Sequence, residues 1–405
     1  MKILFLNPVG TLGGAERSLV ELVAVIGNSR PDWELHLITG DTGPLGQIFR
    51  ESGLNTEVLL LPSGVRSFGD SGFSGLRSWK GLVSLVLRAP RIAFQLWTYL
   101  RELGRRIEQL QPDVIHSNGF KFHVIIGLMG RPGAKVIWHA RDYISNRKLV
   151  GKVLKKLCCK PDLLVANSHS VAEDWEKCLP GLDNAVLHNC VAMPGIGTDL
   201  GQANSLFGLK THGQVRVGLV GSYARWKGQD IFLKAVKTLS SEFSKDQASF
   251  YIVGGPLYST GGSQFNLNEL KSLANEMGVS DRVAFLPHQT NITPVYQGLD
   301  IVVHASTKPE PFGRTIVEGM AQGKAVIAAL DGGVREIIAD GKDALAFTPG
   351  KSAELAEKIG FLIRNRDLRL SLGASAREKV TRCFSREALS EKVIATFEAL
   401  MRKVR

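Results

Sequence analysis

Short apolar runs alternate with amphipathic stretches along almost the whole chain. Residues 3–6 form a continuous apolar run, as expected of a strand that is buried on both faces of a sheet. A glycine-rich turn follows, and then a stretch that places Leu19, Leu22, Val23 and Ile26 on one helical stripe. Further strands are predicted at residues 34–38, 57–61, 114–116, 135–138 and 162–166. Strands that alternate with helices indicate a parallel sheet built from β-α-β units.

The alternation is interrupted at residues 191–214, which are rich in Gly, Thr, Asn and Pro and show no periodicity. We expect an interdomain linker there. The alternation then resumes, with strands predicted at residues 215–220, 250–253, 283–286, 301–304 and 325–329. The sequence therefore predicts an α/β protein with two Rossmann-like domains, residues 1–190 and 215–384. An amphipathic helix is expected at residues 385–405, with its apolar stripe packed back across the first domain.

Composition narrows the class of protein. The chain has 405 residues, of which 44% are hydrophobic and 22% charged, and these values are typical of globular proteins. Five cysteines without a C-x-x-C pair favour reduced thiols in the cytoplasm and argue against a zinc site. The apolar run at residues 3–6 is too short for a signal peptide, and charged residues interrupt the best candidate membrane span, residues 82–97. We therefore expect a cytoplasmic protein that is soluble or peripheral to a membrane.

The formal net charge of +12 favours polyanionic partners such as nucleic acid, anionic lipid or phosphorylated substrates. Residues 141–160 carry seven basic side chains and one acidic one, and residues 76–107 mix aromatic with basic side chains. Such a surface can rest on an anionic bilayer and collect a lipid-linked acceptor. An aromatic stripe that faces the core beneath a solvated basic face explains the same pattern. Nucleic acid is not an expected partner, because the aromatic residues form no recognisable binding module.

The segment from Glu310 to Glu318 carries the most chemical information. The strand predicted at residues 301–304 leads into a proline-containing loop, and a helix is expected to begin near Phe312. The first-turn amides of such a helix lack intrahelical partners, so they can bind phosphate at the carboxyl edge of the sheet. Gly313 would let the ligand approach the backbone closely, and the two glutamates can accept hydrogen bonds from sugar hydroxyls. A capped helix with two solvated glutamates is the alternative.

A second candidate loop, residues 221–228, follows the strand predicted at residues 215–220. It contains Arg225 and Lys227 close to the expected start of a helix. Two cations at this place can hold a diphosphate and offset negative charge that develops on it. The alternative is an ordinary basic surface loop.

Two weaker candidates lie in the first half of the chain. Gly13 and Gly14 open a predicted helix without the G-x-G-x-x-G fingerprint, and close packing of strand and helix explains them equally well. His139 follows a predicted strand, where substrate groups often bind, although a lone histidine is more often structural. The sequence contains no Asp-x-Asp, no P-loop motif and no metal-ligand spacing of His and Cys, so neither a metal nor a bound cofactor is expected.

Glu310 and Glu318, with seven residues between them and Phe312-Gly313 inside, resemble the E-x7-E motif of glycosyltransferase family 4. Members of that family are retaining nucleotide-sugar enzymes of the GT-B fold, in which two Rossmann-like domains face each other across a cleft. The resemblance covers nearly the whole chain. It extends to Gly13-Gly14-Ala15-Glu16-Arg17, Asn167-Ser168, Asn189-Cys190-Val191, the loop at residues 220–228 and Gly332-Gly333-Val334-Arg335-Glu336.

The resemblance implies a role for each candidate residue. Lys227 would hold the donor diphosphate, Glu318 would bind the ribose hydroxyls, and Glu310 would lie beside the transferred sugar. Gly13 and Gly14 would lie at the diphosphate on the side of the opposite domain, and His139 would touch the sugar near the reacting carbon. Contacts to sugar and phosphate would also come from the backbone amides of Phe312, Gly313, Thr315 and Ile316. Ser222 departs from the family, which usually has Arg at this position. Either Arg225 supplies the missing charge from the same loop, or Lys227 alone holds the phosphate.

The implied activity is the transfer of a hexose from a nucleoside-diphosphate sugar, UDP- or GDP-linked, to a hydroxyl acceptor, with retention of configuration and without a metal ion. The acceptor would be a small molecule, a glycan or a lipid-linked molecule. Three alternatives stay open: a GT-B-type sugar-nucleotide epimerase, an NAD-dependent oxidoreductase and a non-catalytic binding protein with a decayed site. The sequence lacks the G-x-G-x-x-G fingerprint that an NAD-dependent oxidoreductase requires.

Overall fold

The computed structural model describes residues 1–66, 79–130, 132–195, 201–208, 213–256 and 262–403, without the side chains of residues 79–89. The chain divides into two compact units. The first comprises Met1–Cys190 and Leu389–Arg405, and the second comprises Val191–Ala388. The basic and aromatic segment at residues 76–107 therefore lies partly outside the described residues.

The first unit contains a parallel sheet of seven strands in the order β3-β2-β1-β4-β5-β6-β7. The strands are β1 (Lys2–Asn7), β2 (Glu34–Thr39), β3 (Asn55–Val58), β4 (Val114–Asn118), β5 (Lys135–Ala140), β6 (Leu163–Ala166) and β7 (Asn184–Val186). The helices are α1 (Gly14–Ser29), α2 (Pro44–Glu51), α3 (Ser63–Arg66), α4 (Trp79–Leu110), α5 (Phe120–Met129), α6 (Lys148–Leu157) and α7 (His169–Cys178).

Apolar side chains cover both faces of this first sheet. Leu4 and Leu6 of β1 belong to one apolar cluster, whereas Ile3 and Phe5 belong to another, because successive side chains of a strand point to opposite faces. The C-terminal helix α16 (Arg386–Arg402) contributes to the second cluster through Leu389, Val393, Phe397 and Leu400. The apolar stripe expected from the sequence is therefore part of the core of the first unit.

The second unit contains a parallel sheet of six strands in the order β10-β9-β8-β11-β12-β13. The strands are β8 (Val215–Val220), β9 (Ala248–Val253), β10 (Val283–Leu286), β11 (Ile301–His304), β12 (Ala325–Ala329) and β13 (Leu345–Phe347). The helices are α8 (Gly201–Phe207), α9 (Gln229–Leu239), α10 (Leu267–Glu276), α11 (Thr293–Gly298), α12 (Arg314–Ala321), α13 (Val334–Ile337), α14 (Ser352–Arg364) and α15 (Arg366–Cys383). The strand order reverses between β8 and β11, and open α/β sheets bind ligands at the carboxyl ends of the strands beside such a reversal.

The two parallel Rossmann-like sheets confirm the predicted fold class, but residues 191–214 differ from the linker expected there. Helix α8 occupies part of this range, and the ring of Phe207 packs edge-on against Tyr251 at 4.7 Å. A helix of seven residues is too short to show periodicity in the sequence. Residues 196–200 and 209–212 of the range lie outside the described residues. No described helix combines the length and the apolarity that crossing a bilayer requires.

Candidate functional site

Two loops of the second unit meet beside the strand reversal. The first follows β8 and contains a 3-10 turn, Arg225–Lys227, and the second follows β11. The backbone amide of Thr307 donates a hydrogen bond to the carbonyl of Trp226 at 2.7 Å. Gly228 has a left-handed φ of 77°, and a Cβ placed on it would lie 2.0 Å from the carbonyl oxygen of Ala305. The contact is so close that only glycine is accommodated at this position.

This contact brings Lys227 to Glu310. The Lys227 Nζ donates to Glu310 Oε2 at 2.6 Å. The same oxygen accepts a hydrogen bond from Ser306 Oγ at 2.9 Å and lies 3.0 Å from His304 Nε2. The side chain of Glu310 is 9% exposed and that of Lys227 is 21% exposed, so the ion pair is largely shielded from water.

The surroundings of Glu310 keep its carboxyl group ionised. Burial alone raises its pKa, but the neighbouring Lys227 and the hydrogen bond with His304 outweigh burial, so the pKa falls well below its usual range. Glu310 is therefore a permanent hydrogen-bond acceptor at neutral pH.

The loop that carries Glu310 is fixed by a glycine pair in the next loop of the sheet. Glu310 forms a parallel bridge with Gly332, and its carbonyl accepts a hydrogen bond from the amide of Gly333 at 2.8 Å. A Cβ on Gly333 would lie 2.4 Å from the carbonyl oxygen of Pro311. Contact with this glycine pair fixes the backbone of Glu310.

The second glutamate of the motif, Glu318, lies in α12 and is held at both carboxylate oxygens. The hydroxyl of Tyr296 donates to Oε2 at 2.8 Å, and Arg314 Nη2 donates to Oε1 at 2.7 Å. Each carboxylate oxygen can accept more than one hydrogen bond, so Glu318 retains acceptor capacity for a ligand.

Helix α12 begins at Arg314, with Gly313 as its N-cap at a left-handed φ of 102°. Phe312 is buried and packs edge-on against Phe384 at a centroid distance of 5.9 Å. The side chain of Ile316 is buried as well, and its amide donates to the carbonyl of Gly313 at 3.0 Å. Four backbone amides were expected to contact the ligand, those of Phe312, Gly313, Thr315 and Ile316. The amide of Ile316 is hydrogen-bonded within the first turn of α12, and the amide of Thr315 lies in the same turn.

Arg225 lies in the loop with Lys227, but its guanidinium is held elsewhere. Its Nε donates to the carbonyl of Gly262 at 3.0 Å, and its Nη2 forms an ion pair with Glu269 at 2.9 Å. The guanidinium also stacks over the ring of Phe265 at 4.3 Å. The structure therefore brings Lys227 to Glu310 and places Arg225 against α10. The carbonyl of Ser222 accepts a hydrogen bond from the side chain of Gln229 at 2.8 Å.

In the first unit, His139 lies near the carboxyl end of β5 and is buried. Its Nδ1 accepts a hydrogen bond from Arg141 Nη2 at 3.3 Å and lies 3.0 Å from His116 Nε2. A guanidinium can only donate, so Nδ1 is the acceptor and the ring proton is on Nε2. Burial first, and then the charge of Arg141, hold the pKa of His139 well below its usual value, so the ring is neutral. The Nε2 atom has no hydrogen-bond partner among the described residues.

Arg141 is itself positioned by two asparagines. Its Nη1 donates to Asn189 Oδ1 at 2.8 Å, and its Nε donates to Asn118 Oδ1. The side-chain amide of Asn118 in turn donates to Asn7 Oδ1 at 2.6 Å. Asn7 ends β1 and Asn118 ends β4, the neighbouring strands between which the first sheet also reverses its order. The first sheet therefore carries a connected polar group at its carboxyl edge.

Gly13 and Gly14, the two candidate glycines of the first unit, lie at the start of α1. Gly13 is its N-cap, and its amide donates to the buried carboxylate of Glu16 at 3.1 Å. Gly14 is the first residue of the helix. Burial above all raises the pKa of Glu16. The close approach of two backbones occurs instead at Gly10, where a Cβ would lie 2.3 Å from the carbonyl oxygen of Thr42.

Comparisons with known proteins identify the family of the chain. The family model described as "Glycosyltransferase Family 4" matches residues 12–193, and the one described as "Glycosyl transferases group 1" matches residues 207–379. A protein of Corynebacterium jeikeium named D-inositol 3-phosphate glycosyltransferase is 30% identical over 319 residues, which span 73% of this chain and 74% of the relative. The chain belongs to glycosyltransferase family 4. It is therefore a glycosyltransferase of the GT-B type.

Two solved structures share the fold. The Anabaena protein HepE in complex with UDP-glucose has a TM-score of 0.78 and 22% identity, and the match covers 98% of this chain and 100% of HepE. Sucrose-phosphate synthase from Thermosynechococcus elongatus has a TM-score of 0.73 and 18% identity, with 99% of each chain covered. These similarities confirm the GT-B fold of this family 4 glycosyltransferase.

Sequence reasoning missed several residues that complete the site of the glycosyltransferase. His304 and Ser306 hold Glu310, and Tyr296 and Arg314 hold Glu318. His304 and Ser306 could have been found, because polar residues at the end of a buried apolar strand lie where such sheets bind ligands. Tyr296 carries no comparable signal, because its contact depends on how α11 packs.

Proposed function

We propose that this glycosyltransferase moves a hexose from a nucleoside-diphosphate sugar to a hydroxyl acceptor, with retention of configuration and without a metal ion. The proposal depends above all on the ion pair of Lys227 and Glu310 beside the strand reversal of the second unit. A cation that can bind a diphosphate there adjoins a buried carboxylate that can accept hydrogen bonds from a sugar. One ligand that presents both groups side by side is a nucleoside-diphosphate sugar.

The donor is proposed to be UDP- or GDP-linked. HepE, a structural relative, binds UDP-glucose, and another solved structure of it contains UDP and glucose. In this chain Glu318 would accept hydrogen bonds from the ribose hydroxyls, and Tyr296 and Arg314 fix its orientation for that task. Gly313 opens α12 toward the phosphates, where the positive end of the helix dipole favours anions.

The proposed reaction breaks the bond between the anomeric carbon and the diphosphate oxygen, and forms a bond from that carbon to the acceptor oxygen on the same face. The proton of the acceptor hydroxyl passes to the leaving diphosphate, so atoms and charge balance. Negative charge grows on the diphosphate as its bond breaks, and Lys227 stabilises that charge. Since Arg225 is paired with Glu269, we assign this task to Lys227 and the start of α12. The roles of Gly13, Gly14, Ser222 and His139 stay predictions.

The acceptor is proposed to be a small molecule, a glycan or a lipid-linked molecule at an anionic membrane. In α4, Tyr99 is buried but Phe94 and Trp97 are 63% and 51% exposed, and Arg101 stacks on Trp97 at 4.8 Å. Exposed aromatic rings beside arginine suit the interface of an anionic bilayer. Flotation with phosphatidylglycerol vesicles should exceed flotation with phosphatidylcholine vesicles, and Phe94→Ala/Trp97→Ala should abolish the difference. Equal flotation with both vesicles would exclude this contact.

The function is tested first by a thermal-shift screen of nucleoside diphosphates and their sugars, because a ligand that binds only the folded protein raises its melting temperature. The donor that is found is then assayed with candidate acceptors, and NMR of the product reports the anomeric configuration. Lys227→Ala is expected to lower turnover at saturating donor by about 10²–10³-fold, the usual effect of removing one stabilising group.

Lys234→Ala is the matched control, since Lys234 is an exposed lysine of α9 whose ion partner is Asp230. Near-normal turnover of Lys227→Ala would contradict the proposed role of Lys227. Loss of activity on addition of EDTA would contradict metal independence, and turnover of the donor without an acceptor would favour the epimerase alternative.

A further inference from the structure

One carboxylate oxygen of Glu310 has polar contacts with three side chains. Oε2 accepts hydrogen bonds from Lys227 Nζ at 2.6 Å and Ser306 Oγ at 2.9 Å, and His304 Nε2 lies 3.0 Å away. His304 and Ser306 are both buried, at 4% and 2% exposure. The carboxylate is therefore held in place on the protein side, whereas Lys227 comes to it from the loop after β8.

This arrangement means that the cation assigned to the diphosphate is already paired in the ligand-free site. A diphosphate that approaches Lys227 must share the ammonium with Glu310 or take it away. In both cases two like charges, diphosphate and carboxylate, come close together in a poorly solvated place. A buried carboxylate that loses its cationic partner is costly, because its charge is then left without compensation.

The cost differs between two ligands that share the same diphosphate. An intact donor also brings sugar hydroxyls, which can donate to Glu310 as Lys227 turns to the phosphates. A free nucleoside diphosphate brings none, so Glu310 loses its strongest partner without replacement. We propose that Glu310 is a specificity-determining residue that makes the site prefer the intact sugar nucleotide to the free nucleoside diphosphate. This inference rests on the proposed function, since it takes Lys227 as the ligand of the diphosphate.

The preference has a consequence for turnover. After transfer, the sugar leaves Glu310 together with the acceptor, and Lys227 again forms its ion pair with the carboxylate. The pairing therefore weakens the hold on the product diphosphate at the moment when it must leave.

The experiment compares the binding of UDP and UDP-glucose, or of GDP and GDP-mannose if the thermal-shift screen selects guanine, by isothermal titration calorimetry. Glu310→Gln removes the negative charge and keeps the shape of the side chain. It is expected to tighten binding of the diphosphate about tenfold or more, and to weaken or leave unchanged binding of the sugar nucleotide. The ratio of the two dissociation constants thus changes by at least about tenfold.

Two further variants identify the cause. In Lys227→Met, Glu310→Gln should tighten diphosphate binding by a smaller factor than in the native protein, because it then relieves only the repulsion between the diphosphate and the carboxylate and frees no ammonium group. Lys234→Ala leaves the ion pair of Lys227 and Glu310 intact, because Lys234 pairs with Asp230, so the ratio of dissociation constants should stay close to that of the native protein. If the melting temperature shows that Glu310→Gln is not folded, Glu310→Asp replaces it. The shorter side chain withdraws the carboxylate from Lys227 and should change the ratio in the same direction by a smaller factor.

The outcomes separate the inference from the function on which it rests. If neither ligand binds to the native protein, the proposed function fails. If both bind but Glu310→Gln changes the two dissociation constants by the same factor, or changes neither, the inference is wrong and the proposed function stands.

Discussion

Gly228 allows the sharpest test of how the site is built. It has φ 77° and ψ 29°, caps α9, and follows Lys227 directly. A Cβ at this position would lie 2.0 Å from the carbonyl oxygen of Ala305 and 2.8 Å from its carbonyl carbon. These two neighbours are backbone atoms and the third is the Cβ of Ala305, so no side-chain rotation can relieve the contact. Gly228→Ala must move one of the two loops that bring Lys227 to Glu310.

The expected cost has two parts that a second glycine separates. The left-handed backbone alone costs alanine about 1–2 kcal/mol. Gly341 has φ 73°, and a Cβ placed on it would meet no described atom within 4 Å, so Gly341→Ala should carry only this cost. Displacement of the backbone at Ala305 adds about 2 kcal/mol or more, which brings Gly228→Ala to about 3–4 kcal/mol.

The assay is differential scanning calorimetry of the full chain, analysed separately for the two units because a protein of two units need not unfold in one step. At about 2–4 °C for each kcal/mol, Gly341→Ala should lower the melting temperature of the second unit by about 2–8 °C and Gly228→Ala by about 6–16 °C. Gly228→Ala should also weaken binding of the nucleotide, whereas Gly341→Ala should not. Equal shifts for the two variants, with equal affinity, would refute the close contact of the two loops.

Three further predictions concern single residues. Tyr296→Phe removes one hydrogen-bond donor to Glu318 and should weaken UDP binding about three- to tenfold in calorimetry, without changing the affinity for pyrophosphate. The control Tyr251→Phe should change neither affinity. An equal loss of affinity for UDP and pyrophosphate would contradict the proposed ribose contact. Arg141→Met should lower the fraction of His139 with its proton on Nε2, measured by ¹⁵N NMR of labelled histidine, and an unchanged fraction would show that Arg141 does not set the tautomer. His123 is buried and burial lowers its pKa to about 3, below the unfolded value of about 6.5, so its contribution to stability is present above pH 6.5 and is lost as pH falls towards 3, by about 1.4 kcal/mol per pH unit. Chemical denaturation from pH 7 to pH 4 should show that His123→Gln reduces the slope of stability against pH by this amount; an unchanged slope would contradict a neutral buried ring.

The fold could be predicted well because it depends on local patterns. The runs at residues 215–220, 283–286 and 301–304 are strands with the predicted bounds, since short, mostly apolar runs are typical of strands in parallel sheets. Helix α8 was missed because a short helix that packs through one aromatic ring leaves no periodic signal.

The site could be predicted only in part, because its contacts depend on strand order. Lys227 and Glu310 were singled out since each follows a strand, yet the sequence does not show that β8 and β11 are neighbours. Nor does it show that Arg225 pairs with Glu269, which lies 44 residues further along the chain. Loop charges whose partners are distant in sequence are therefore the least predictable part of the site.

The helix α16 has a consequence for how the chain is made. Phe397 is fully buried between the rings of Trp33 and His116 in the first unit, although the entire second unit is synthesised before it. While the ribosome makes the second unit, the first unit still lacks the helix that covers part of its core. It therefore exposes apolar surface through which chains can aggregate. Native assembly of the N-terminal half therefore waits for residues translated almost four hundred codons after its first strand.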